Sequence, residues 1–223
     1  MKNNMLKVLV VLALGAVILI PGIAGASTTI YTDEAAFQSA LASGYYLENF
    51  ATLDPYTDLG ITVSFGPVNG FSYDAYAAND LYSGPESNVN LSTFYNTDPI
   101  LITFTGSPVY AFGGQFFTVA ADGSDATGTT TIYVTYVIDT IPVTIPVVYN
   151  NDDDLRPFLG IISSDALTSV SIASEQLGPD DTQWPAVDNF YVGLAAVPVP
   201  PTVLLLGSGL LGLVGWRRFR KSF

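Results

Sequence analysis

Between Tyr45 and Val192 the chain is cut into nine short runs rich in Val, Ile, Thr, Tyr and Phe, with Gly, Pro, Asn and Asp between them. The runs are Tyr45 to Phe50, Gly60 to Phe65, Ile100 to Thr105, Val109 to Ala120, Thr130 to Ile138, Val143 to Tyr149, Phe158 to Ser163, Leu167 to Ala173 and Val187 to Val192. β-Branched and aromatic side chains suit a pleated, half-buried surface, and the residues between the runs are those that turn a chain. Alternation strengthens the reading: Ile100, Ile102 and Phe104 share one face, as do Ile132, Val134, Tyr136 and Ile138. Asp139 to Pro142 separates two runs that should pair as a hairpin, with Pro142 and Pro146 placing the second at a sheet edge. One helix is expected, capped by Thr32 or Asp33, with Ala36, Phe37, Ala40 and Leu41 at helical spacing and Gly44 at its end. No strand–helix repetition of the parallel-sheet kind is present. The fold expected is mostly β, an antiparallel sandwich of jelly-roll type, with an immunoglobulin-like sandwich as the rival.

The two ends of the chain differ in kind from this middle. Lys2 and Lys7 precede the uninterrupted apolar run Val8 to Ile20, and Ala24-Gly25-Ala26 fits the small-x-small pattern of signal peptidase before Ser27. Residues 1–26 therefore read as a signal peptide and 27–196 as one exported domain, a size that can bury a proper core. At the other end, 197–223 begins with the stiff VPVPP, continues as the uncharged Thr202 to Trp216, and finishes with Arg217, Arg218, Arg220 and Lys221. The basic cluster should hold that end on the cytoplasmic side. As a transmembrane helix the apolar stretch reaches only about 22 Å at roughly 1.5 Å per residue, against a hydrocarbon core of about 30 Å. That shortness suits a recognition segment held briefly in the bilayer better than a lasting anchor.

This tail resembles the PEP-CTERM family of bacterial exported proteins: a Pro-x-Pro signature at Pro198, Val199 and Pro200, an apolar helix of the LLLGSGLLGLVG type, then an arginine-rich end. Val199 stands where the family's name-giving glutamate would be. The resemblance implies processing by an exosortase, a membrane protease-transpeptidase, near the proline motif. The middle resembles ectodomains found in such proteins, through ENF at Glu48 to Phe50, ILITFTGSPVYAFGGQFF from Ile100, FLGIIS from Phe158 and VDNFYVG from Val187. That second resemblance implies a secreted β-sandwich and no defined activity.

Charge is segregated with the same sharpness. All 20 acidic residues lie between Asp33 and Asp188, and the only cation between residues 27 and 196 is Arg156, so the exported region carries a formal charge of −19. Nucleic acid and anionic bilayer surfaces are excluded as electrostatic partners, whereas divalent cations fit. The chain has no cysteine, so stability must come from packing or ions rather than disulfides. Without histidine or cysteine it also lacks the usual triads, thiol nucleophiles and common zinc sites.

Strict alternation places Glu48 on the face of Tyr46 and Phe50, and Asp188 on the face of Phe190 and Val192. Two carboxylates aimed at apolar neighbours need partners, and Arg156 cannot neutralise both. A structural Ca²⁺ joining the two strands would do so, with Glu48, Asp188 and Asn189 as candidate ligands; carboxylates at strand ends accepting N–H bonds are the alternative. Asn150 to Asp154 begins with EF-hand-like spacing but has Leu155 at the sixth position and Ile161 at the twelfth, so it fails the motif. Asp122 to Asp125 and Gly178 to Asp181 read as turns.

Aromatic residues give the other candidate. Tyr73, Tyr76, Tyr82, Phe94 and Tyr95 lie in a long Gly/Asn/Ser-rich segment from Gly66 to Asp98, and Trp184 in another loop. Exposed rings can stack on sugar faces, with Tyr82 and Trp184 chosen as glycan contacts; burial of most of the rings in the core is the competing reading. Together these features describe an exported, non-enzymatic, structural or adhesive protein. Its route passes the membrane during sorting and ends at the outer surface or extracellular matrix. The alternative is a carbohydrate-binding module for exopolysaccharide, and the third reading a carboxylate-dependent glycan hydrolase.

Overall fold

The computed structural model describes residues 27–86, 89–121, 123–126, 128–138, 140–150, 156–175 and 183–196, with the side chains of 149 and 150 left aside. The expected signal peptide and sorting tail lie outside the described residues. Among the described residues no helix is long and apolar enough to cross a membrane.

The elements in order are β1 (Thr28–Tyr31), α1 (Glu34–Ala40), β2 (Tyr46–Glu48), β3 (Asp58–Val68), β4 (Phe71–Ser83), β5 (Leu91–Thr93), β6 (Ile100–Phe104), β7 (Val109–Val119), β8 (Thr129–Ile138), β9 (Ile141–Asn150), β10 (Phe158–Ser174) and β11 (Trp184–Gly193). The mostly-β expectation holds, but the layer arrangement does not. Antiparallel pairing runs from β4 to β6, β10, β7, β11, β5 and back to β4. Six strands thus close on themselves into a barrel, where a two-sheet jelly-roll sandwich was expected. Closure removes edges from the ring, which an open sheet would leave exposed. The remaining strands extend it: β3 on β4, β2 on β11, and β1 and β8 on β10.

Two corrections explain the closure. First, the runs Phe158 to Ser163 and Leu167 to Ala173 are one 17-residue strand, β10. Its first half pairs with β7 and β1 and its second with β6 and β8, so one long strand serves four neighbours. Second, the segment from Gly66 to Asp98 is not a long loop. It contains β4, whose Phe71, Tyr73, Ala75 and Ala77 alternate into the core, and the three-residue β5 that bridges β4 to β11. Two alanines carry half of that alternation, and Asp74, Asn79 and Asp80 interrupt it, so the strand is composed like a loop.

The β8–β9 hairpin forms as expected, with Val137 opposite Pro142 and Tyr133 opposite Pro146. β9 has β8 as its pairing partner and ends the strand path, a position where missing N–H donors do no harm. Inside the barrel the Tyr73 ring stacks on Phe65 at 5.0 Å and meets Phe190 edge-on at 5.2 Å.

α1 forms where its cap and spacing placed it. The Asp33 side chain accepts the Ala36 N–H at 2.7 Å, and the helix turns Phe37 wholly inward. Phe37 seats on β7 and β10 because Gly113 and Gly160 leave room; a Cβ at those positions would lie 2.8 and 2.4 Å from its ring. This second, smaller core comprises Phe37, Leu41, Ala111, Phe158 and Tyr191. Both ends of the described region dock nearby. Ser27 donates its N–H to Ser164 Oγ at 3.0 Å, and Ala196 donates to the Ala40 carbonyl at 2.8 Å.

Candidate binding cleft

The two carboxylates are brought close, on paired strands: β2 and β11 pair with Glu48 opposite Phe190, two residues from Asp188. Each is supplied by protein donors. Glu48 Oε2 accepts the Tyr46 hydroxyl at 2.5 Å and Oε1 accepts the Phe50 N–H at 2.8 Å. Burial is the main cause that raises the Tyr46 hydroxyl far above its ordinary value, and the Glu48 hydrogen bond and charge add to it. Asp188 Oδ1 accepts the Asn189 N–H at 2.7 Å, and Oδ2 accepts from Arg156 Nη1 at 3.1 Å. Its face also differs from expectation. The register on β7 shifts between Asp188 and Tyr191, with Asn189 at φ +47°, so Val187 rather than Asp188 shares the main core with Phe190 and Val192. One inserted residue reverses the alternation. Burial raises the Asp188 carboxyl above its ordinary value; Asn189 and Arg156 pull it down, and Asp125 and Glu34 push it up. Among the described residues no group of three or more His, Cys, Asp or Glu side chains is placed to hold a metal ion. Asn189 meets Asp188 through its backbone.

Arg156 serves three groups at once. Its Nε and Nη2 donate to Asp125 at 3.1 and 2.6 Å, its Nη1 to Asp188, and its guanidinium lies 3.7 Å from the centre of the Phe117 ring. Such a desolvated, stacked, two-pronged arrangement suits arginine in particular. It anchors the turn after β7, in which Ala120 donates to the Ser124 carbonyl, Gly123 to that of Ala120, and Ala126 to that of Thr118. Asp125 is thus an ion-pair partner in this turn. Asp122, residues 151–155 and residues 178–181 lie outside the described residues.

That turn is one wall of a surface cleft of about 220 Å³. The strands supply the rest: Tyr82 near the end of β4, opposite Ser92 of β5, and Trp184 at the start of β11, opposite Val119 of β7. Tyr82 and Trp184, chosen from the sequence as rings in two separate segments, line the same cleft, together with Phe94. Trp184 begins a strand rather than lying in a loop. Its indole N–H donates to the Phe94 carbonyl at 3.2 Å, and the Tyr82 and Phe94 rings meet edge-on at 6.3 Å. Phe94 and Tyr95 stay half exposed and meet at 5.2 Å. Of the aromatic set, Tyr73 is core and Tyr76 is exposed elsewhere on β4. Beneath the rings, Asn90 is fully buried against Gly84, where a Cβ would come within 2.4 Å of the amide nitrogen. The described residues lining the cleft include no charged side chain. Phe94 directly follows β5 and belongs to the same aromatic set as Tyr82; nothing in the sequence sets it apart as a cleft residue.

The sorting residues Ala24, Ala26, Pro198, Val199, Pro200, Arg217, Arg218 and Arg220 lie outside the described residues, and their reading rests on sequence. No curated protein and no solved structure matches the chain. Residues 196–221 do match a known family, the PEP-CTERM protein-sorting motif, so the barrel is the cargo of an exported protein sorted through the membrane and processed by an exosortase.

Proposed function

We propose that the barrel is a non-enzymatic adhesive or structural component of the bacterial envelope or extracellular matrix, and that its cleft is the contact surface, holding a saccharide. The single observation that carries the reading is the meeting of Tyr82, Phe94 and Trp184 around one cleft. An aromatic face covers the C–H face of a sugar, and a partly exposed ring gains burial when one docks. The sorting motif supports the setting, since a cargo delivered to the cell surface meets polysaccharide there. The absence of histidine and cysteine from the sequence supports binding over catalysis.

The test is retention on the host's own matrix, using the full chain in its native host. Tyr82→Ala together with Trp184→Ala should release most of the protein into the wash while leaving export intact. Equal retention of the double variant would count against the cleft as the contact surface. Mass spectrometry of the mature C-terminus in the same fractions should find the chain ending near Pro198 to Pro201; a full-length C-terminus would contradict exosortase cleavage there.

A further inference from the structure

Resting on the saccharide reading of the cleft, we infer that its ligand is an uncharged sugar ring, and that acidic sugars are turned away by charge rather than by shape. Size limits the occupant first. At about 220 Å³ the cleft falls below the roughly 300 Å³ at which drug-sized pockets begin, so it takes a single ring, with the rest of any chain lying outside. Charge then selects among rings. A uronate, sulfated or phosphorylated sugar needs a cation, and the exported region has one, Arg156. That guanidinium is committed: Nε and Nη2 are on Asp125, Nη1 is on Asp188, and its face is on Phe117. It is not among the residues that line the cleft but pairs with Asp125 of the adjoining turn, and drawing it toward a ligand would break two ion pairs.

The donor hydrogens of two neighbouring hydroxyls are committed as well. Ser92 Oγ donates to the Pro185 carbonyl at 2.9 Å and Thr93 Oγ1 to that of Tyr95 at 2.7 Å. The described lining offers aromatic rings, chiefly Tyr82, Phe94 and Trp184, and uncharged polar groups, in a region of formal charge −19. A neutral sugar loses nothing to that field, whereas an anionic one is repelled by it and finds no counter-charge in the site.

Trp184 makes the test direct. The chain's other tryptophan is Trp216 in the tail, so the full chain carrying Trp216→Phe reports on the cleft alone. Its emission is titrated, in chelator-containing buffer, with cellohexaose and mannohexaose as neutral probes and with hexaguluronate and hexagalacturonate as acidic ones. We expect a neutral hexamer to shift the Trp184 emission, the acidic hexamers to bind at least about tenfold more weakly at low salt, and the gap to narrow as salt screens the repulsion. Phe94→Ala should abolish the neutral response. Acidic hexamers binding as well as neutral ones would overturn the charge selection and leave the saccharide reading standing. Emission unmoved by all four probes would overturn the saccharide reading itself.

Discussion

The cluster beneath α1 and the cluster at the cleft are built from the same kinds of residue on the same barrel. Phe37, Phe158 and Tyr191 make up the first with Leu41 and Ala111; Tyr82, Phe94 and Trp184 line the second. Both join strands distant in sequence, and both contain edge-on ring pairs. They differ in what covers them. A helix drops Phe37 into the space left by Gly113 and Gly160, and Tyr191 has its hydroxyl secured, donating to Glu34 and accepting from Gln38, each at 2.5 Å. At the cleft a short turn held by Arg156 forms one wall and nothing in the described chain lies over Phe94, which stays 50% exposed. Aromatic content therefore does not separate core from site. The presence of a covering element does, and the covered cluster is expected to carry stability where the open one carries contact.

Phe37→Ala is the strongest way to break the comparison. Emptying a fully buried phenylalanine site costs about 3–5 kcal/mol, and here it also unseats the helix from β7 and β10. Denaturant unfolding should show that loss, with matrix retention of the folded fraction unchanged; a loss below about 1 kcal/mol would mean that α1 is not a structural cover.

An intermediate effect concerns the ion-paired turn. Burial places the Asp188 carboxyl above its ordinary 3.8, so the unfolded chain releases this proton more readily than the folded one. The sign follows: the group favours the fold most below 3.8, and its contribution falls as pH rises until the folded-state value is passed. The difference in Tm between wild type and Asp188→Asn should accordingly decline upward from about pH 4 and then level off. A difference that grows with pH would show that Arg156 outweighs burial.

The smallest expected effect is none. Glu48 and Asp188 have their charges met by Tyr46, Phe50, Asn189 and Arg156. Calorimetric melting should therefore be unchanged by a chelator, and a fall in Tm would instead support the structural calcium expected from the sequence.

How far the sequence carried depended on how local the physics was. α1 was legible because its cap and its buried phenylalanine sit within one segment, and the β8–β9 hairpin because two prolines and a short turn fix an edge. Ring closure was not legible, since it hangs on Leu91 to Thr93 pairing with both β4 and β11, and three residues carry no period. The side-chain direction of Asp188 failed for a similar reason: Asn189 tolerates a positive φ, and its insertion shifts the register without leaving a pattern in the flanking residues. At the cleft, Tyr82 and Trp184 could be picked out as rings among turn residues. That they share a wall with Phe94, and that Arg156 anchors the turn beside them, required the fold.

The most direct test of the open cluster is titration of the Trp216→Phe chain with polysaccharide purified from the host's own matrix, following Trp184 emission. A saturable shift that disappears in Phe94→Ala, with the unfolding transition of that variant within about 1 kcal/mol of wild type, is the predicted result. No shift, or the same shift in Phe94→Ala, would contradict the cleft as the surface through which this protein holds its surroundings.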